Sequence, residues 1–455
     1  MKNNRGQWEI LWILAFLATA RPAAALSAPY GIERRSPTPP YLGIAGLDQG
    51  QFPPQLSQTG AFQDTARLVP SPLLIPYQLN VPFFSDDAVK SRWVSIPDSS
   101  SGKTAPIGFS AAGEWKYPPG TVFIKHFELG TDESAPAVRR RLETRLLVVD
   151  SHGGIQVATY KWRSDGSDAE LLSTNLTESI PIRTSDGERM QTWYYPGRQD
   201  CRTCHTDLNG GVLGAKTRQL NGQMTYPGGI TDNQLRTWNH LGLFGASWDE
   251  STLATLPALA CLTNTSLDLT DRARSYLDAN CSHCHRPGGT VGNFDARYET
   301  PLARQNLIDG PVLIDQGMDR ARVVVPRDIW RSILYVRAST LEGMKMPPIA
   351  HERLDGAGLG LLRDWINSLK GTPALPPPEI MAASSPSGGR TEIVIRHFEP
   401  GVKIHYTTDG SAPGPSDPVY DAPIPVDFPA VIRARAYKTG YHRSIAAQEF
   451  FQSSK

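Results

Sequence analysis

A short cysteine–histidine pattern occurs twice in this chain of 455 residues and constrains it more than any other feature. One copy spans residues 201–205 and the other spans residues 281–285. In each copy two residues separate the cysteines, and a histidine follows the second cysteine directly. The chain has only five cysteines and ten histidines, so two chance copies are a poor explanation. Both segments are therefore expected to be binding sites.

This pattern is the attachment sequence of a c-type haem. Two cysteines at this spacing can form thioethers to one porphyrin, and the adjoining histidine reaches the iron as its proximal ligand. The sequence therefore predicts two haem c groups, each holding one iron. The attachment residues are Cys201, Cys204, Cys281 and Cys284, and the proximal ligands are His205 and His285. A zinc knuckle or a redox dithiol is the alternative, but neither needs histidine at that position.

The distal iron ligand decides whether a haem only carries electrons or keeps an open position for chemistry. For the second haem we predict Met346, which stands directly before two prolines, and Met344 is the alternative. Thioether sulfur is a soft ligand that favours ferrous iron. For the first haem the tentative choice is His240, on a predicted helix. Met224 and an open or water-bound iron remain alternatives there.

Residues 1–27 have the features of a secretory signal: an early positive charge, an apolar run and small residues at the end. The apolar run is short for a membrane span, and no later stretch reaches that length. We therefore expect a protein that is periplasmic or otherwise extracytoplasmic, without a transmembrane segment after signal removal. The net charge of +1, with no basic tract, argues against nucleic acid as a partner.

Local patterns predict strands in the first half of the chain and helices later. Residues 121–129, 142–149 and 155–162 are rich in β-branched and aromatic residues, and a glycine-containing turn separates the last two. Residues 270–279 form an amphipathic pattern with a helix-capping start, and residues 355–369 repeat apolar side chains at helical spacing. A helix leading into the second motif and a closing helix are the frame of a class I cytochrome c fold.

The predicted fold class is multidomain. It combines a β-rich N-terminal domain, a mainly α-helical cytochrome c region with two haem sites and a small C-terminal immunoglobulin-like β-sandwich. The fifth cysteine, Cys261, lies among apolar residues and is expected to be buried. The predicted regions are a signal peptide (1–27), the β-rich N-terminal domain (28–190), the first haem region (191–260), the class I cytochrome c domain with the second haem (261–371), a proline-rich linker (372–378) and the C-terminal β-sandwich (379–455).

The central part of the chain resembles a bacterial di-haem c-type cytochrome family in which a β-rich region precedes two such motifs. The resemblance covers roughly residues 55–370 and is carried by segments such as Leu79–Asp86, Gly120–Phe127, Thr217–Asn221 and His240–Phe244. It implies haem binding and electron transfer but no substrate. Because His240 lies in one of these segments, the resemblance favours it over Met224.

The C-terminal part resembles the chitobiase/β-hexosaminidase C-terminal domain, through Ile404–Pro413 and Ile432–Tyr437. The resemblance implies an accessory β-sandwich that contacts carbohydrate or another protein. It does not imply glycosidase activity, because the carboxylate pair of a hydrolase belongs to a different domain.

These features predict an exported di-haem cytochrome that passes electrons to an unidentified redox partner protein. No catalytic residue is assigned. One alternative is a di-haem peroxidase or oxidase that uses an open face at the first haem. Another is a cytochrome subunit of a periplasmic dehydrogenase.

Overall fold

The computed structural model describes residues 29–99, 101–245, 247–289, 292–349, 351–384, 391–427 and 429–452. The predicted signal peptide lies outside the described residues. The strands are β1 Phe62–Asp64, β2 Val69–Pro70, β3 Ile75–Pro76, β4 Val89–Ser95, β5 Val122–Gly130, β6 Arg139–Val149, β7 Ile155–Trp162, β8 Ala169–Leu171, β9 Leu176–Thr184, β10 Gly187–Tyr195, β11 Gln223–Thr225, β12 Thr231–Asn233, β13 Glu379–Ser384, β14 Thr391–Arg396, β15 Lys403–Thr407, β16 Ile424–Pro425, β17 Ala430–Tyr437 and β18 Ala447–Phe451. The α-helices are α1 Arg198–Cys204, α2 Thr217–Leu220, α3 Gln234–His240, α4 Leu269–Asn280, α5 Ile333–Ala338 and α6 Gly356–Ser368.

Strands β3 to β8 form one antiparallel sheet in sequence order. Its side chains alternate between two faces, as the period of two in a strand requires. Val122 and Ile124 point to one face and join a core with the segment that precedes the sheet. Phe123 lies on the other face and joins a second core with residues from α2 and α3. This second face also forms a wall of the candidate site.

The hairpin of β9 and β10 covers one end of this sheet. Its apolar residues Ile180, Ile182 and Trp193 pack on Phe127 and Leu142 of the sheet. The chain leaves β10 at Tyr195 and enters α1 three residues later, so the end of the hairpin positions the first motif. The prediction of strands in this half of the chain is confirmed.

The prediction of a mainly α-helical cytochrome c region is wrong. Among the helices of the described residues, only α4 and α6 exceed ten residues, and irregular loops occupy most of the chain between them. Asn306, Asp309, Gln316, Arg320 and Arg327 all adopt positive φ angles there. A left-handed backbone at non-glycine residues occurs in turns and cannot continue a right-handed helix. Helical periodicity in two segments therefore did not predict the structure of the residues between them.

The two predicted helices themselves are confirmed. Asp268 caps α4 by accepting hydrogen bonds from the backbone N–H groups of Thr270 and Asp271, and Asp355 caps α6 in the same way at Gly358. The helices share a core with the loops that connect them. Its most buried members are Ala273, Leu277, Ala296, Leu307, Val324, Leu362, Trp365 and Ile366. Cys261 precedes this core and is exposed, so the expectation that it is buried is also wrong.

The C-terminal part consists of two three-stranded antiparallel sheets, β13-β14-β16 and β15-β17-β18. Isoleucines and alanines from both sheets form one shared core, as in a β-sandwich. The preceding proline-rich segment is fixed to this domain: Leu375 N–H donates to the His442 carbonyl, and His442 N–H donates to the Pro373 carbonyl. Asp319 also contacts the domain through an ion pair with Arg443 at 2.8 Å.

Among the residues that the structure describes, no helix is both long and apolar enough to span a membrane.

Candidate functional site

A cavity lies between the sheet and the segments that carry the two motifs. Its volume is about 200 Å³, and it opens to solvent. The sheet supplies one wall through β4 to β7, and residues of α1 and α4 and of the segments next to them supply the opposite wall. The cavity is therefore built jointly by the N-terminal sheet and the two motif segments.

The first motif lies on the cavity wall with all three of its functional side chains. Cys201, Cys204 and His205 line the cavity. The His205 N–H donates to the Cys201 carbonyl at 2.9 Å, which holds the motif in one helical turn. The His205 ring is oriented by a hydrogen bond of 2.7 Å between Nδ1 and the Gly211 carbonyl. This bond leaves Nε2 free to act as a ligand, as in histidines that bind metals.

Gly211 has a structural reason to be glycine. Its φ angle is +71°, in the left-handed region that favours glycine. A Cβ atom at this position would also lie 2.3 Å from Cγ1 of Ile155 on β7. Burial lowers the pKa of His205 to about 4, although the bond to Gly211 works in the opposite direction. The imidazole is therefore neutral at neutral pH, the form in which histidine binds a metal.

The second motif begins where α4 ends and has the same backbone turn. The N–H groups of Cys284 and His285 both donate to the Cys281 carbonyl. The His285 ring stacks on Phe294 with centroids 4.3 Å apart, and a Cβ on Gly292 would lie 2.6 Å from His285 Nδ1. In the described part of the chain this buried Nδ1 has no hydrogen-bond partner. The ring is thus tightly enclosed.

The two motifs differ in their relation to the cavity. Ser282, His283 and Arg286 of the second segment line it. Cys281, Cys284 and His285 are not among the lining residues, and Cys281 packs instead against the core of α4 and α6. The structure therefore brings only the first set of predicted attachment residues together on this wall.

Direct contacts join the two motifs. The buried Asn209 side chain donates hydrogen bonds to the Cys204 carbonyl at 2.6 Å and to the His283 carbonyl at 3.0 Å. The ligand atoms of Cys204, His283 and Cys284 lie within 4.8 Å of one another. The contact between the two thiols raises the pKa of Cys204 and lowers that of Cys284. One cysteine of each motif therefore faces the other across a short gap.

Three basic residues of the sheet face the cavity in a row. Lys125 of β5 is directly paired with Arg92 of β4 on one side and with Arg145 of β6 on the other. All three line the cavity, and we call them the cationic row. Burial lowers the pKa of Lys125 well below its usual value, and the charges of its basic neighbours lower it further. The row thus brings three basic side chains together on one wall.

The opposite wall carries charges of both signs that are already paired. Glu114 accepts from Lys216 at 3.2 Å and from Arg286 at 3.1 Å. Asp278 of α4 lies 3.5 Å from Lys216 and 3.7 Å from Arg218. These ion pairs connect α4 to the segment that follows the first motif, so the two motif segments are fixed to each other here as well.

The predicted distal ligand of the second haem, Met346, lies in a loop that is bonded to Arg337. Met346 N–H donates to the Arg337 carbonyl at 2.8 Å, and Arg337 Nε donates to the Met344 carbonyl at 2.7 Å. The charge of Arg337 lowers the pKa of His285, after the larger effect of burial. Met344 is exposed, whereas Met346 is half-buried. The structure thus fixes the backbone of Met346 to a residue whose charge acts on His285.

The structure does not bring His240 to the first motif. Its ring is stacked on Tyr30 with centroids 3.7 Å apart, and its Nε2 lies 3.4 Å from a carboxylate oxygen of Glu33. Met224 is buried in β11 opposite Asp232. Neither His240 nor Met224 lines the cavity. Their positions therefore give no support to either residue as the distal ligand of the first haem.

Sequence reasoning missed the cationic row and Asn209. The alternation of Phe123, Lys125 and Phe127 in β5 was a usable signal, because a lysine between aromatic residues on one face of a strand is unusual. Lys125 is paired with arginines of two other strands. That pairing cannot be predicted from the sequence pattern of any one strand.

Comparison with known proteins identifies the C-terminal part alone. Residues 386–448 match the chitobiase/beta-hexosaminidase C-terminal domain family. No curated protein and no solved structure matches the chain. The match agrees with the two-sheet architecture of the C-terminal part and lies outside the cavity region.

Proposed function

We propose that this protein is an exported c-type cytochrome that binds two covalent haems and transfers electrons. One observation carries the proposal: Cys201, Cys204 and His205 all line one cavity, and His205 Nδ1 is bonded to a backbone carbonyl so that Nε2 is available. This is the donor set that a covalent haem requires. When bound, haem iron supplies a one-electron redox centre.

The residues of the chain have separable roles in this proposal. Cys201 and Cys204 hold the porphyrin, and His205 binds the iron with a ring orientation that Gly211 fixes. Apolar residues of the walls, such as Leu79 and Val212, exclude water from the porphyrin. Low polarity around a haem and the identity of its axial ligands are the features by which a protein sets its redox potential.

The second haem is proposed from the second motif and its backbone turn. Cys281 and Cys284 attach it, His285 is its proximal ligand, and Met346 is its distal ligand. Two observations support this assignment. The motif repeats the backbone hydrogen bond of the first motif, and Arg337 links Met346 to the surroundings of His285. Because Asn209 joins the two motifs directly, the two attachment points are neighbours.

The location and the partners belong to the same proposal. We propose export through residues 1–27 to the periplasm or another extracytoplasmic compartment, since covalent haem is attached there. A redox partner protein would exchange electrons with the haems. The C-terminal β-sandwich would contact a carbohydrate or another protein, because its family is named after the C-terminal domain of the glycosidases chitobiase and beta-hexosaminidase.

Mass spectrometry of the intact protein tests the proposal. The full-length gene is expressed with a haem c maturation system, and the periplasmic protein is purified. We expect the mass of two covalently bound haems in the wild type, one in C201A/C204A and one in C281A/C284A. C261A changes an exposed cysteine outside both motifs and should keep both haems. A wild-type mass without haem would overturn the proposal.

One observation favours an enzyme as the second candidate. Neither His240 nor Met224 lines the cavity. The first haem would then have an open distal face, as in a peroxidase or oxidase. The spin state of the oxidised protein separates the two functions. A high-spin component together with peroxide turnover supports the enzyme, whereas a fully low-spin, inert protein supports the electron carrier.

The close approach of Cys204, His283 and Cys284 favours a third candidate, a thiolate–imidazole metal site. Such a site excludes haem at both motifs, because it uses one cysteine of each. Zinc bound in a one-to-one ratio by purified protein without haem, and lost in H283A, would support it. Haem addition at both motifs would rule it out.

A further inference from the structure

We propose that the cationic row is a carboxylate-binding site of the cavity. Arg92, Lys125 and Arg145 come from three neighbouring strands and are aligned in register on the same face of the sheet. Like charges directly opposite each other on a sheet destabilise it. An anion bound against a row of three on the wall of a cavity would offset this repulsion.

The charge of the row is only partly balanced within the protein. Arg145 forms two hydrogen bonds with the buried Glu143, at 3.0 and 2.6 Å. In the described part of the chain, Lys125 Nζ forms no hydrogen bond or ion pair, and it lies 4.8 Å from the centre of the Phe127 ring. The Glu143 carboxylate thus pairs with one of the three basic residues of the row.

Arg92 gives an independent indication of a ligand. Its side chain is only 8 % exposed, it lines the cavity, and its Nη2 atom is buried with no hydrogen-bond partner among the described residues. Leaving a buried charged donor unpaired destabilises the folded protein. The carboxylates of the other wall, Glu114 and Asp278, form ion pairs with Lys216 and with other basic residues instead.

The chemistry of the row selects the class of ligand. Arginine guanidinium groups bind carboxylates with two parallel hydrogen bonds, and lysine adds a point charge. Because Arg145 is already paired with Glu143, Arg92 and Lys125 remain to bind a ligand that carries two carboxylates. Two sources offer this chemistry: the propionates of a porphyrin attached at Cys201 and Cys204, which rests on the proposed function, and a free organic dicarboxylic acid.

A potentiometric titration of the holoprotein tests the first source. R92Q and K125Q remove one positive charge each, and R163Q removes a charge from a residue that does not line the cavity. If the propionates occupy the row, we expect one of the two haem midpoints to shift to lower potential in R92Q and K125Q. The loss of nearby positive charge favours the ferric state. The other midpoint should stay unchanged, and R163Q should match the wild type.

Calorimetric titration with succinate tests the second source. Succinate binding by the wild-type protein, weakened at least tenfold in R92Q and K125Q but not in R163Q, would assign the row to a free dicarboxylate. K125Q keeps the test decisive if R92Q does not fold. Lys125 is half-buried, and among the described residues its side chain makes no hydrogen bond that the substitution would break. Circular dichroism confirms that each variant is folded.

The outcomes separate the row from the proposed function. A folded K125Q protein with unchanged midpoints and with no succinate binding in the wild type would overturn the carboxylate site. A chain whose intact mass shows no haem overturns the proposed function instead. In that case, succinate binding that depends on Arg92 and Lys125 would still support the row, and its absence would overturn the row too.

Discussion

Asn209 donates a hydrogen bond of 3.0 Å to the backbone carbonyl of His283, a residue 74 positions further along the chain. The same side-chain amide donates to the Cys204 carbonyl, and its oxygen accepts from the N–H groups of Thr206 and Gly211. One fully buried side chain therefore connects the backbones of both motifs and also supports the loop that orients His205. This places the two motifs next to each other despite their separation in sequence.

We expect Asn209→Ala to lower the free energy of unfolding by about 2 kcal/mol, because it leaves buried carbonyl and N–H groups without partners. Urea denaturation followed by tryptophan fluorescence measures the change. Asn264→Ala is the matched control, since Asn264 is exposed and bonds only within its own turn, and it should change stability by less than about 0.5 kcal/mol. Equal stability of N209A and the wild type would mean that Asn209 does not join the motifs in solution.

Local patterns in the sequence predicted local structure well. The strand prediction for residues 121–129 corresponds to β5, and the helix predictions at 270–279 and 355–369 correspond to α4 and α6. In each case the periodicity of the segment itself carries the information. The C-terminal resemblance was confirmed for residues 386–448.

The relations between segments were not predictable in this way. Two helices suggested a helical domain, but the chain between them turns through residues with positive φ. The sequence placed the second motif, not the first, beside the two helices typical of a class I cytochrome c. In the structure, however, the attachment residues of the first motif line the cavity. The alignment of Arg92, Lys125 and Arg145 depends on the register of three strands, which only the paired sheet defines.

Asp278 is expected to be the most sensitive residue of the wall opposite the sheet. Its side chain is fully buried between Lys216 and Arg218, and its Oδ1 accepts from the Tyr298 N–H at 3.0 Å. Asp278→Asn keeps an acceptor for Tyr298 but removes the negative charge. We expect a loss of about 3 kcal/mol, because buried cations are left less compensated.

Chemical denaturation of D278N alongside D364N measures this difference. Asp364 lies on α6, is exposed and is paired with the neighbouring, exposed Arg363, so D364N should remain within about 0.5 kcal/mol of the wild type. A D278N protein as stable as D364N would show that the basic residues of this wall find other partners or lose their charge.

Asp86 should make stability depend on pH. Burial raises its pKa from 3.8 to about 6, although the N–H groups of Arg353 and Glu352 donate to its carboxylate and work in the opposite direction. The folded state therefore binds this proton more tightly than the unfolded state. The stabilisation is complete below pH 3.8 and is lost as the pH rises through about 6.

Asp86→Asn removes this titration and keeps an acceptor for both N–H groups. The residue has a φ angle of 47°, a left-handed conformation that asparagine tolerates well. Relative to the wild type, D86N should gain about 2–3 kcal/mol between pH 4 and pH 7. Denaturation at several pH values tests this, with D186N in the exposed β9–β10 turn as control. A D86N difference that does not change with pH would refute the assignment of the titration to Asp86.

Met346 provides the sharpest test of the second haem, and this prediction rests on the proposed function. Its backbone is fixed to Arg337, whose charge acts on His285, and it is less exposed than Met344. We expect the oxidised protein to show the weak red absorption band of thioether-bound iron. Met346→Ala should abolish the band and lower the midpoint potential of that haem, since thioether ligation favours ferrous iron. Met344→Ala is the matched control and should keep both properties. If the band persists in M346A but disappears in M344A, Met344 is the distal ligand. If the band is lost in neither variant, neither methionine binds the iron.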